Sequence, residues 1–418
     1  MKPSRRSLRG LDWFVFFVAD VQTGFGPFVA VYLTTEKWTQ VDIGLVLSVS
    51  GVVALAGQIP GGALLDWARR ERLVAGVAVA LISASAIAYA AWPIFPVILA
   101  AAVLHAAASC VLGPAIAAIS LGLVGPDGIG ERLGRNARFA SIGAGLSAAV
   151  MGACGYFFDT RSVFLVTAAL LLPTWWALHR IAPQEIDPEQ AHGNVTGPRV
   201  AARRPARDPS SLGLRTLLGQ PALLVFGISI LLFHLANAAM LPLMGSVLTA
   251  RSSEWATVLI AACMVGPQLV VAVFSPWAGR QAARWGRRPL LLAGLVALPI
   301  RGFLFATVSD PYALVAIQLL DGITATVMSV MVPLTIADLT RGTGRFNLTQ
   351  GLIGTMMGVG ASLSPTLAGY VTDRFGSPAA FSALAVIATI GLVLVALRMP
   401  ETRPHAAAHR DRVEQHVP

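Results

Sequence analysis

The chain has 418 residues, of which 55% are hydrophobic and only 12% charged, with 40 glycines. A mean hydropathy of +0.69, with about half the charge of an ordinary soluble domain, excludes a water-soluble globule. The net charge of +10 does not indicate nucleic acid, because the arginines sit in short segments between apolar runs and not on one face of a polar module.

From the N-terminus, Lys2, Arg5, Arg6 and Arg9 precede Leu11 in the manner of a signal peptide. The run that follows is too long, contains Asp20 and shows no small-residue cleavage site, which predicts a retained first helix. Boundaries at clusters of charge, Pro and Gly then predict spans at 11–34, 41–65, 73–92, 94–124, 137–158, 163–181, 219–248, 255–278, 289–308, 311–339, 346–372 and 378–398. Each approaches or exceeds the ~20 apolar residues a membrane helix needs. Unpaired backbone amides exclude open sheets in hydrocarbon, and the runs are too long and continuous for barrel strands. The expectation is an all-α membrane protein with twelve transmembrane helices in two pseudo-symmetric six-helix bundles, 1–181 and 219–398. A proline- and arginine-rich stretch, 182–218, reads as a flexible cytoplasmic linker, and 399–418 as a cytoplasmic tail.

Charge placement orients the spans. Of the 31 Lys and Arg residues, 26 fall in the termini and alternate loops of one face, leaving Lys37, Arg161, Arg251 and Arg374 opposite and Arg301 within a span. The positive-inside rule makes both termini cytoplasmic, in the inner membrane of a bacterium. Cys110, Cys154 and Cys263 lie in apolar runs without paired spacing, so neither disulfides nor a metal site are expected. No cofactor is expected either: GxxxxGK, HExxH and GxSxG are absent from the sequence, which argues against ATP hydrolysis and against a membrane protease or lipase.

The two halves share a design. Gly62 and Gly279 open similar loops 217 residues apart, and Leu146-Ser147 with Leu363-Ser364, and Gly152 with Gly369, match at the same offset. Such repeats belong typically to transporters that rock two bundles about a central site. The first loop reads Gly62-Ala63-Leu64-Leu65-Asp66-Trp67-Ala68-Arg69-Arg70-Glu71-Arg72, and the second Gly279-Arg280-Gln281-Ala282-Ala283-Arg284-Trp285-Gly286-Arg287-Arg288. Both resemble the GxLxDxxGRK loop of the major facilitator superfamily. Arg69 departs from the second glycine, and Ala283 replaces the acid. Glycine permits close helix approach, and the acid can sit at a neighbouring helix N-terminus, whose dipole favours negative charge. The resemblance implies a cytoplasmic gate, with Gly62, Asp66, Arg70, Gly279, Gly286, Arg287 and Arg288 as its candidates. Span five, Gly143 to Ala149, contains no proline, so the glycine-proline element of the family's drug–proton antiporters is missing and the direction of transport stays open. Asn347 is expected to cap span eleven.

Polar groups at depth mark a pathway, since charges in hydrocarbon are costly and usually face a cavity or one another. At about 1.5 Å per residue, Asp20 lies roughly 13 Å into span one, His105 about 16 Å into span four, His234 and Asn237 some 21–25 Å into span seven, and Asp321 near 15 Å into span ten. The resemblance implies that these four spans line a central cavity. Arg301 lies at nearly the depth of Asp321 and is a candidate partner for it. Gln22 and Gln318 are candidate hydrogen-bonding groups for a solute or between helices. Asp20 is the first candidate for proton coupling, because desolvation raises a carboxylate pKa.

The function expected is secondary active transport of a small organic solute, with proton coupling, by alternating access around a midplane cavity. The partners are the solute, the proton and the lipid bilayer, with no nucleic acid and a monomeric chain. A facilitative uniporter and a non-transporting sensor with a transporter fold are the alternatives.

Overall fold

The structure is a computed structural model. It describes residues 3–23, 29, 32–33, 35–158, 161–194, 219–251 and 256–403. The N-terminal helices are α1 (Arg5–Thr23), α2 (Gln40–Ala68), α3 (Glu71–Ala91), α4 (Phe95–Phe157), α5 (Arg161–Ala169) and α6 (Leu171–His179). A 3-10 turn at Pro183–Glu185 and the short α7 (Pro188–Ala191) follow. The C-terminal helices are α8 (Pro221–Asn237), α9 (Met240–Arg251), α10 (Ala256–Arg284), α11 (Arg287–Thr307), α12 (Pro311–Leu339), α13 (Phe346–Phe375) and α14 (Ser377–Arg398). Among the described residues there is no strand.

Local chemistry sets several starts. The Thr39 hydroxyl accepts the Asp42 N–H ahead of α2. Asp310 accepts the Ala313 N–H ahead of α12, where Pro311 has no first-turn donor to satisfy. Nine described stretches are long and apolar enough to cross a membrane. The longest, Phe95–Met151 at 57 residues, far exceeds one crossing. It breaks at Gly125, where φ 69° and ψ 178° reach a region only glycine enters readily, and Pro126 opens the second arm.

The predicted spans 94–124 and 137–158 are therefore the two arms of α4, and the loop expected between them is helical. Conversely, 163–181 divides into α5 and α6, and 219–248 into α8 and α9. The α8–α9 interruption frees the Ala239 N–H, which the Ser364 hydroxyl accepts at 2.9 Å.

Two hydrophobic clusters form the core. One runs from Leu11 to Ala191; the other is built mainly from Leu223 to Met399. Large apolar side chains also cover the outside, with Leu172 75%, Leu397 74% and Val41 72% exposed. Apolar exterior on this scale suits acyl chains and not water.

Candidate functional site

Between the N-terminal and C-terminal helices the broadest contacts are α2 on α13 and α4 on α10. Glycines set their closeness. A methyl on Gly62 would overlap the Asn347 carbonyl, and one on Gly279 the Gly130 carbonyl. One turn further along, Gly351 meets the Gln58 carbonyl and Gly134 the Ser275 carbonyl in the same way. Every member of this set has its counterpart 217 residues away: 62 and 279, 130 and 347, 58 and 275, 134 and 351. One backbone-to-backbone contact is thus built twice, about an approximate twofold axis, wherever two helices approach too closely for a side chain.

Asp66 crosses the α2–α13 seam. It accepts the Asn347 side-chain amide at 2.8 Å and the Leu348 backbone N–H at 2.8 Å. A carboxylate from one half therefore caps a helix of the other, at the end where the dipole favours it. Asn347 does not cap α13 itself: Arg345 holds that position without a side-chain hydrogen bond, and the buried Asn347 turns its amide to Asp66. On the α4–α10 seam the matching position is Ala283. There Arg138 Nε donates to the Ala272 carbonyl at 2.7 Å.

The two turns differ at the positions aligned with glycine. Arg69 adopts φ 48°, ψ 31°, a left-handed conformation a non-glycine residue tolerates, and its guanidinium reaches Glu189 at 3.1 Å. Gly286 adopts φ 96°, ψ 172°, which excludes side chains, and an added Cβ would lie 2.5 Å from a Glu401 carboxylate oxygen. Gly286→Ala is expected to destabilise the protein by about 1–3 kcal/mol, read as a lower melting temperature of the purified protein. Arg69→Ala, which loses only an exposed ion pair, should change stability by less than about 1 kcal/mol.

Arg70 is exposed at the start of α3. Arg287 binds Asp338 at 2.7 Å and the Ala282 carbonyl at 2.6 Å, and Arg288 donates to the Ala396 carbonyl, so both are engaged within the C-terminal helices. Glu401 closes this corner by accepting the Arg287 and Arg288 backbone N–H groups at 2.8 and 3.1 Å. Burial pushes the Glu401 carboxyl up, but backbone donors from Arg287, Arg403 and Arg288 and the Arg287 charge outweigh it and hold the group below the usual range.

Residues 182–194 begin the stretch expected to be flexible, yet they are docked across the same face. Asp187 caps α7 through the Glu189 and Gln190 N–H groups, and its own N–H reaches the Gly122 carbonyl at 3.0 Å. The Gly193 carbonyl accepts from Gly342 N–H and the His192 carbonyl from Phe346 N–H, both on C-terminal elements. The His192 ring is buried. Its Nδ1 faces the Pro188 carbonyl at 2.5 Å and its Nε2 the Leu65 carbonyl at 3.2 Å. The Glu71 carboxylate lies 3.6 Å from Nε2. The remainder of the expected linker, 195–218, lies outside the described residues.

Four of the depth candidates meet in the C-terminal helices. Arg301 of α11, 1% exposed, pairs with Asp321 of α12 and donates to the Asn237 side-chain oxygen at the end of α8. Its guanidinium also touches the Met240 sulfur at 3.4 Å, and Gln318 makes a long 3.5 Å contact to Asp321. Asp321 keeps 25% of its side chain accessible. The cluster lies beside the α8–α9 interruption. His105 in α4 and His234 in α8 are half-buried and are not among its hydrogen-bonding partners. Asp20 and Gln22 fall on α1, and their side chains lie outside the described residues.

Sequence patterning did not single out Asp12. Its buried carboxylate binds Arg132 at 2.5 Å and Arg135 at 2.6 Å, and Arg132 continues through Asn136 to Ser120. The available signal was an acid at the second position of an apolar run, with Arg132 and Arg135 in the segment expected as a cytoplasmic loop.

The Major Facilitator Superfamily profile matches residues 13–266 and 227–418. An uncharacterized MFS-type transporter of Mycobacterium tuberculosis is 38% identical over 401 residues, 95% of this chain and 94% of that protein. Among solved structures, the E. coli fucose:proton symporter superposes with a TM-score of 0.73 at 14% identity, covering 94% of this chain and 98% of its own. A proton:xylose symporter superposes with a TM-score of 0.69 at 14% identity, covering 95% and 96%. With a full-length family match, a relative of this identity and the same helical architecture, the chain belongs to the major facilitator superfamily of membrane transporters.

Proposed function

We propose that this transporter moves a small organic solute by proton-coupled secondary transport, alternating access between the two sides of a bacterial inner membrane with the arginine-rich face in the cytoplasm. The observation that carries the reading is the Arg301–Asp321 pair beside the broken α8–α9 helix. Interrupted helices with polar groups at mid-depth are how membrane carriers build solute sites, since irregular backbone is tolerated only where it is buried or lines a cavity. Asp321 is the accessible member of the pair and Arg301 the buried one. A proton on Asp321 releases the guanidinium to a solute oxygen, and loss of the proton reclaims it, so solute and carboxylate compete for one cation. Asp20 is the second proposed coupling acid. The paired seams supply the gate: closing them seals the arginine-rich face, and parting them opens it.

A thermal-shift screen against metabolites and drugs identifies the solute, because a ligand of the folded state raises its melting temperature. In proteoliposomes, Asp321→Asn and Asp20→Asn are each expected to reduce gradient-driven accumulation at least tenfold while protein remains in the membrane. Full pH-dependent accumulation in both variants removes proton coupling. Transport insensitive to collapse of the proton gradient in the unmodified protein makes it a uniporter.

A further inference from the structure

A cavity of about 560 Å³ opens on the arginine-rich face between the start of α3 and the end of α6. Its lining is of two kinds: the basic Arg70, Arg72 and His179 at or beside the helix ends, and the apolar Leu73, Val77 and Trp175. The apolar three are 49–58% exposed, on the outer surface that meets acyl chains. The Trp175 indole is fixed by its N–H, which donates to the Gly76 carbonyl at 3.0 Å, so the ring forms a wall. Among the described residues neither Arg70 nor Arg72 has an acidic partner. Of the nearby acids, Glu189 holds Arg69, and Glu71, which also lines the cavity, is buried with its carboxylate 3.6 Å from His192 and not on Arg70 or Arg72. Trp67, 78% exposed, and Trp176, 52% exposed and stacked under Arg180 at 4.5 Å, are further exposed aromatic side chains on α2 and α6, of the kind that gather at a membrane–water boundary.

We propose that this cavity binds an anionic phospholipid, its headgroup phosphate between Arg70 and Arg72 and an acyl chain along Leu73, Val77 and Trp175. Two guanidinium groups with no carboxylate paired to either favour an anion, and an anion that continues into an apolar, outward-facing groove is a lipid. The site lies on the turn that carries Asp66, so a bound headgroup holds the turn in its closed geometry. This inference needs only a membrane protein and does not rest on the transport reading.

The test is thermal unfolding of the detergent-purified chain with dioleoylphosphatidylglycerol, dioleoylphosphatidylcholine or inorganic phosphate. Phosphatidylglycerol is expected to raise the melting temperature by several degrees and the other two to leave it unchanged. The Arg70→Gln/Arg72→Gln variant should lose at least half of that shift. Arg70→Lys/Arg72→Lys should keep most of it, and so should Arg280→Gln/Arg398→Gln, which neutralises two exposed arginines elsewhere. Equal shifts from the two lipids, or a full shift in Arg70→Gln/Arg72→Gln, overturn the proposal. A full shift from inorganic phosphate overturns the lipid and assigns the site to a soluble phosphate. If the double variant does not fold, native mass spectrometry of the unmodified chain decides: retention of phosphatidylglycerol no greater than phosphatidylcholine at equal concentration overturns the site.

Discussion

Replacing Asp12 with alanine is expected to lower the stability of the N-terminal helices by about 3–5 kcal/mol, the usual cost of breaking a buried ion pair. Asp12 is 2% exposed and Arg132 4%. Without the carboxylate, the Arg132 charge stays buried with only Asn136 and the Leu8 carbonyl, at 3.4 Å, as hydrogen-bond acceptors. Arg135, half exposed, can turn to water and adds little. The measurement is the melting temperature and the yield of folded protein in detergent. An Asp12→Leu/Arg132→Met double variant should recover most of the loss, because exchanging the whole pair for apolar groups leaves no orphan charge. Equal loss in the single and double variants would show that shape at this site matters more than charge.

Gly62→Leu and Gly279→Leu are each expected to shift the chain from the closed to the open form of the arginine-rich face while leaving it folded. Either side chain would enter a facing carbonyl, so the helices must separate, at about 1–3 kcal/mol for overpacking. That is roughly a 5–150-fold change in a two-state equilibrium. Each half keeps most of its own hydrophobic cluster, although Ala117, Leu121, Ile129 and Leu133 of α4 join the C-terminal one, so most of the cost falls on the seam. Spin labels on Trp67→Cys and Arg280→Cys, in a chain cleared of Cys110, Cys154 and Cys263, would report a longer distance in both variants. An unchanged distance with unchanged melting temperature would show that the seams yield locally and do not gate.

Apolar run length and the repeat were legible because they belong to the chain itself. The 217-residue offset, visible first at Gly62 and Gly279, extends to Gly130 and Asn347, which contain no shared residue type and match only as positions. Sequence identity could not show that correspondence; the shared element is a backbone carbonyl. The spans expected at 94–124 and 137–158 are the two arms of α4, but the loop expected between them is helical: Arg132, Arg135 and Arg138 signal topology, whereas the break in the helix falls at Gly125, which alone leaves helical space. Residues 182–194 were misread as flexible because prolines and charges suggest a linker. Their order comes from main-chain hydrogen bonds to partners as distant as Gly122 and Gly342, which composition does not encode. Arg301 and Asp321 were legible as depths along separate spans. Their meeting with Asn237 depends on how α8, α11 and α12 pack.

The docking of 182–194 onto both halves leaves a natural clock in the backbone. The Gly342 and Phe346 N–H groups are held by Gly193 and His192, and the Leu348 N–H by Asp66, all across the seam. Parting the halves strips these three donors at once, whereas the Asp187 N–H, bonded to Gly122 within the N-terminal helices, stays shielded. Deuterium uptake at 342, 346 and 348, relative to 187, therefore counts excursions of the unmodified protein without any label or solute.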